Sequence, residues 1–160
     1  MGIEIVRIDD RLIHGQVIIG WTRSKGIEEV IAVDDKVAKD KFQSQLMKMA
    51  VPPGVKSQIL TVDDAIAKIG DGSGIKRKTM VVVKGPEALL RLVNSGLSLS
   101  NVNVGIMRSG PNKKQLSNQV FATEEEISAM KELDAKGISL TAQSLPGTPS
   151  VNLNSVLKGV

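Results

Sequence analysis

The chain has 160 residues, within the roughly 100 to 200 expected of one domain and enough to hold a core without covalent staples. It contains no cysteine, which excludes a disulfide framework, thiolate metal sites and thiol catalysis and fits an intracellular compartment. Its 21 Lys and Arg against 17 Asp and Glu give a net charge of +4, yet the basic residues are dispersed and only two Phe and one Trp offer faces for base stacking, so no nucleic-acid partner is expected.

From the N-terminus onward, β-branched runs alternate with stretches of helical period, the pattern of strands joined by crossover helices. No apolar run approaches the roughly 20 residues that span a bilayer. The start runs straight into charge, where a signal peptide would place an apolar stretch. Residues 3–8 read as the first strand. A helix is expected over about 14–25, with Ile13, Val17 and Trp21 on one face and Gly26 at its stop.

Residues 30–33 form the second expected strand, ending in Asp34-Asp35, which read as caps for the next helix rather than as metal ligands. That helix is expected in one piece over 36–50, with Ala38, Phe42, Leu46, Met49 and Ala50 as a single apolar stripe packed into the core. A third strand follows at 57–60, and Thr61 is placed to cap a short helix to about 69. Residues 79–83 are the most apolar run and belong at the centre of a parallel sheet. Pro86 opens a helix ended by Gly96, residues 102–106 give a fifth strand, and the segment around 119–121 reads as a short extra edge strand. Thr123 and Glu126 make a capping box for a helix to about 136, residues 138–142 are the last strand, and a loop with a short helix fills the tail.

The repeat runs through 1–160 without a composition break, so a single α/β domain is expected. Its architecture is one open, mostly parallel sheet with helices on both faces and a short antiparallel edge strand. Ligands in such folds sit at the carboxyl ends of strands, which directs attention to residues 9–14, Asp34-Asp35, Thr61, Lys84-Gly85, Met107-Arg108 and Gln143-Ser144.

His14 is the only histidine, and it lies in the first strand-to-helix connection. A helix start offers unpaired N–H groups and partial positive charge, together an anion site. Arg11 and Arg7 add guanidinium donors, and Gly15 and Gln16 open the helix beside the ring. A neutral imidazole there suits attack on phosphorus, and Asp9 or Asp10 is placed to hold the ring by accepting from one nitrogen. Phosphoryl transfer asks mainly for in-line positioning and charge compensation. Asp9, Asp10 and Lys84 also imitate the acidic pocket of a signalling receiver, but Thr61 stands where its acceptor aspartate belongs. With no glycine fingerprint after the first strand and no Gly-Lys-Ser/Thr, neither a dinucleotide nor a P-loop nucleotide is expected; nor is any metal or other cofactor.

The run Arg7-Ile-Asp-Asp-Arg-Leu-Ile-His-Gly-Gln-Val17, followed by Trp21, resembles the active-site loop of the IIB component of the mannose/fructose/sorbose class of the bacterial sugar phosphotransferase system. Val33-Asp-Asp35, Asn103-Val-Gly105 and Gln143-Ser-Leu-Pro146 continue the likeness in order, to about Pro146. The resemblance implies a cytoplasmic phosphocarrier and sugar phosphotransferase whose histidine, matched by His14, accepts phosphate at Nδ1 from a IIA protein. It then passes the group to a hexose at membrane IIC and IID subunits, touching the membrane only through them. Arg11, Asp9 and Asp10 are carried over as phosphate neighbours on the matched loop, while Lys84 and Arg108 join them as phosphate ligands on strand placement alone. The alternative is a receiver-like or anion-binding module with no catalytic histidine.

Overall fold

Parity decides which way each strand's side chains face in the computed structural model, which describes residues 2–160. Strand β1 (Ile3–Ile8) puts Ile5 toward one layer of helices and Val6 and Ile8 toward the other. The pattern repeats in β2 (Glu29–Val33) and β4 (Thr79–Val83): Val30, Ala32, Met80 and Val82 line one face, Ile31, Val33, Val81 and Val83 the opposite one. Both faces are covered, so β2 and β4 read as near-continuous apolar runs after their first residue. The remaining strands of the main sheet are β3 (Lys56–Leu60), β5 (Asn101–Val104), β8 (Ser139–Ala142) and the two-residue β9 (Val151–Asn152); β6 (Lys114–Ser117) and β7 (Val120–Ala122) form a separate antiparallel hairpin.

The sheet order is β3-β2-β4-β1-β5-β8-β9, parallel throughout except for β9 against β8. β1 lies between β4 and β5. The chain winds from β1 toward β2 and β3 on one side, and from β5 toward β8 on the other, so the direction of winding reverses at β1. The carboxyl end of β1 is therefore the crevice where this class of sheet binds ligands.

On one face lie α1 (Gly15–Lys25), α2 (Asp35–Lys39) and α3 (Lys41–Met49), with Ile18, Trp21 and Val37 in the core. On the other lie α4 (Val62–Ile69), α5 (Pro86–Asn94), α6 (Glu124–Ala135) and α7 (Leu153–Leu157). The expected stops and starts hold where their chemistry is local. Gly26 ends α1 in the left-handed region at φ 63°, Thr61 Oγ1 accepts from Asp64 N, and Thr123 with Glu126 closes a complete capping box.

Four expectations are corrected. The helix over 36–50 is two helices, because Asp40 leaves the helical region and its carboxylate accepts from Phe42 N and Gln43 N at 3.1 Å, starting α3 afresh. Its stripe does not pack into the core: Phe42, Leu46 and Met49 are 72%, 52% and 73% exposed. The antiparallel edge of the main sheet is β9 rather than residues 119–121, which belong to the β6–β7 hairpin and touch the main chain at an isolated Met107–Val120 bridge. β5 also ends at Val104, two residues early, since Ile106 turns away to accept from Asp10 N at 2.9 Å.

Candidate active site

Beyond β1 the chain is held between its two neighbours: Asp9 N donates to Val83 O of β4 at 3.0 Å, and Asp10 N donates to Ile106 O after β5. It then turns sharply. Leu12 N reaches Asp9 O at 2.9 Å, Arg11 N reaches Asp9 Oδ1 at 3.0 Å, and Leu12 takes a left-handed φ of 58° while its side chain stays buried. Such a conformation costs of order 1 to 3 kcal/mol for a residue with a Cβ, and the buried leucine side chain holds it.

The turn delivers His14 to the N-cap of α1 in extended conformation, on the surface. Its imidazole caps no helix N–H and has no hydrogen-bond partner among the described residues. Ile18 N is the first helix donor to be paired, with His14 O, so the N–H groups of Gly15, Gln16 and Val17 have no partner among the described residues and stand free at the helix start that follows His14. Free donors, the positive end of a helix and an uncommitted imidazole thus coincide at one point.

Behind the turn lies a charged cluster embedded in the sheet. Arg11 holds Asp9 with two parallel bonds, Nε to Oδ1 at 3.1 Å and Nη2 to Oδ2 at 3.0 Å, leaving Nη1 uncommitted. Arg7 Nη2 meets the same Oδ2 at 3.1 Å. Asp9 is fully buried and Arg7 is 1% exposed. The remaining donors of Arg7 go inward: Nη1 to Asn103 Oδ1 and, at 2.9 Å, to Gln143 O; Nη2 to Ser144 O at 3.2 Å. Its Cζ lies 5.6 Å from the centroid of Trp21, whose indole N–H also donates to Ser144 O. Burial pushes the Arg7 guanidinium below its ordinary pKa, and the Asp9 carboxylate opposes that shift. Arg7 Nε alone has no partner.

Gly105 makes room for this cluster. A Cβ there would overlap Arg7 Nη2 and stand 2.6 Å from Asp9 Oδ2, and neither group is free to move. Gly105→Ala is therefore expected to cost about 1 to 3 kcal/mol, as overpacking does, read as a lower urea midpoint at unchanged slope. A stability equal to wild type would show that the arginine yields without cost.

A second group surrounds Asp10. Its carboxylate accepts from Arg108 N at 2.7 Å and Arg108 Nε at 3.1 Å, and the two residues share a cleft of about 940 Å³ with Lys84, Asp34, Asp35 and Lys36. The two aspartates that follow β2 act as caps, Asp34 accepting from Val37 N and Asp35 from Val62 N at the start of α4.

The structure thus gathers Arg7, Asp9 and Arg11 in one cluster and Asp10, Lys84 and Arg108 in another, with His14, Gly15 and Gln16 on the surface at the start of α1. Two roles are corrected. Neither Asp9 nor Asp10 holds the imidazole, since each is already occupied by arginine. Arg7 is not a phosphate donor at the surface, because it is buried and both of its Nη nitrogens are engaged inside the sheet. Asn103, Gly105 and Trp21 were not assigned site roles from sequence, although the register pairs Asn103 with Arg7 on the next strand and so places both on one face.

The family model of the sorbose-subfamily IIB component of the phosphotransferase system matches residues 3–159. The chain belongs to this IIB family. The IIB match includes β9 and α7, so it extends past Pro146, where the legible likeness stopped. Among relatives, the mannose-specific EIIAB component of Escherichia coli K12 is 33% identical over 160 residues, all of this chain but 50% of that protein. The chain thus spans about half the length of that relative. The sorbose-specific EIIB component of Klebsiella pneumoniae is 33% identical over 153 residues, covering 96% of this chain and 93% of that one. The crystal structure of the IIBSor domain of the sorbose permease from the same organism superposes with a TM-score of 0.92 at 31% identity, covering 100% of this chain and 98% of that one. The IIB fold, a mostly parallel open sheet with a small antiparallel hairpin, is thereby common to both.

Proposed function

We propose that residues 1–160 act as one IIB phosphocarrier unit on the cytoplasmic side of the membrane. His14 takes a phosphoryl group from a phosphohistidine on a IIA partner and hands it to a hexose entering through membrane IIC and IID subunits. The observation that carries this proposal is the uncommitted, exposed imidazole of His14 among the free N–H groups of Gly15 and Gln16. Fusion in the EIIAB relative supports a IIA partner, and the names of the relatives point to sugars of the mannose, sorbose, fructose or N-acetylgalactosamine type.

In the first half-reaction the imidazole lone pair, on Nδ1 as the family likeness implies, forms a bond to phosphorus while the bond to the donor's ring nitrogen breaks. In the second, a sugar hydroxyl oxygen bonds to phosphorus as the P–N bond breaks, the bonding pair returns to the His14 nitrogen and the hydroxyl proton passes to that ring or to water, with no change in oxidation state. The helix start holds the equatorial oxygens throughout. Arg11 supplies its uncommitted Nη1 to the same oxygens, because Asp9 fixes the other side of its guanidinium. The paired charges of Arg7 and Asp9 act from behind, on the direction of Arg11. Lys84 and Arg108 line the adjoining cleft, where Lys84 offers its ammonium while Arg108 is paired with Asp10.

Incubation with phosphoenolpyruvate, the general phosphotransferase proteins and a phosphorylated IIA is expected to add one acid-labile, base-stable phosphoryl group, seen in the intact mass. No gain from a demonstrably phosphorylated cognate IIA overturns the proposal. A base-labile, magnesium-dependent adduct would instead favour the receiver-like alternative. Arg11→Ala is expected to slow uptake about 10²-fold, as the loss of one charge-stabilising donor does. Rapid quench measures it, and an unchanged rate removes Arg11 from the chemistry.

A further inference from the structure

Helix α3 presents its apolar residues to the wrong side. At 100° per residue, Phe42, Leu46 and Met49 fall on one narrow arc, while Ser44 and Met47, the residues that face the body of the protein, lie on the opposite one. Ser44 Oγ bonds to Val37 O of α2, and Met47 packs against the core beside α1. The amphipathic pattern of α3 is therefore satisfied by nothing among the described residues. Lys41 and Lys48 flank the apolar ridge on the same helix and Lys36 and Lys39 lie on the preceding α2, all exposed and none in an ion pair among the described residues. The acidic residues interspersed with them are engaged as caps: Asp40 on Phe42 N and Gln43 N, Asp35 on Val62 N.

We infer that this ridge docks on an anionic lipid surface, with Phe42, Leu46 and Met49 entering the headgroup boundary and the four lysines facing lipid phosphates. Exposed apolar side chains flanked by basic ones suit such an interface, the long lysine stems reaching past the apolar ridge to the charged layer. A second copy of the chain is a poorer occupant, because it would bring four lysines against four. α2 begins at the same sheet edge as the β1 turn, and Lys36 lines the cleft that holds Asp10, Lys84 and Arg108. Seating α3 on lipid thus holds the His14 edge beside the membrane. The contact stands without the carrier function; its use, shortening the search for the sugar-translocating subunits, rests on it.

The test is co-sedimentation of the full chain with vesicles of phosphatidylglycerol and phosphatidylcholine, and with vesicles of phosphatidylcholine alone. Wild type is expected to bind the first, to release with added salt and to ignore the second. The variant Phe42→Ser/Leu46→Ser/Met49→Ser is expected to bind on the order of tenfold more weakly or less, and Lys41→Gln/Lys48→Gln to lose most of the salt-sensitive part. All five side chains are exposed, so both variants fold, and circular dichroism checks it. No binding to anionic vesicles, or equal binding by the serine variant, overturns the inference. Concentration-dependent dimers in sedimentation velocity that vanish in the serine variant would overturn it in favour of a second copy. Phosphoryl uptake by the same samples separates the two proposals: vesicle binding by a chain that takes no phosphate supports the lipid contact and counts against the carrier alone.

Discussion

Replacing His14 with alanine is expected to abolish phosphoryl acceptance completely while leaving the free energy of unfolding within about 0.5 kcal/mol of wild type. The separation follows from its place at the N-cap of α1. The imidazole makes no hydrogen bond among the described residues, and the cap is formed by the backbone, whose carbonyl accepts from Ile18 N at 3.1 Å. Removing the ring therefore costs the fold little, whereas the chemistry has no substitute in a sequence with a single histidine and no cysteine. Intact mass after incubation with phosphorylated IIA, paired with urea unfolding, reads both quantities. Phosphate retained by the alanine variant would place the acceptor elsewhere, and a loss of several kcal/mol would make His14 structural.

Asp9→Ala should fail for the opposite reason, destabilising the chain by about 3 to 5 kcal/mol, the range for breaking a buried charge pair. Asp9 is enclosed by two guanidinium groups, and removing it leaves Arg7 charged inside the sheet, beside a Nε that already lacks a partner. Arg11 simultaneously loses both bonds that orient it, so the fraction that still folds should take phosphate slowly. A conservative repair distinguishes the two losses. In Arg7→Met/Asp9→Leu no buried charge remains, so stability should recover substantially, but uptake should not, because nothing then aims Arg11. Recovery of both would show that the buried pair contributes only to folding.

The difference between these two variants marks what could be read from the sequence. The strands and the helix caps were legible because their signals are local: β-branched runs set the parity of β2 and β4, and Thr123 and Glu126 satisfy each other within four residues. The exposed half of the site was legible for the same reason, since His14, Gly15 and Gln16 are contiguous and a helix start carries its own chemistry. The buried half was not, because it depends on neighbours far along the chain. Asn103 and Gln143 meet Arg7 only once β5 and β8 are stacked beside β1. Parity does carry a clue: position 7 points to the same side as Ile5 in a strand covered on both faces, so an arginine there is interior. The stripe at Phe42, Leu46 and Met49 shows the converse. Helical spacing reveals that a face is apolar but not what covers it, and Asp40 looked like one more polar position until its carboxylate was seen to begin a new helix.

Trp21 gives the molecule an optical property. It is the only tryptophan, and there is no tyrosine, so the fluorescence excited in the near ultraviolet comes essentially from one indole. That indole lies against the Arg7 guanidinium and shares the Ser144 carbonyl with it, in the helix that His14 begins. A nearby cation and a hydrogen-bonded ring nitrogen both bear on the energy of the excited state. The protein therefore contains its own label, seated where the first helix packs on the charged cluster. A titration with a partner or an anion can be followed on the unmodified chain, without attaching a dye to the surface that does the binding.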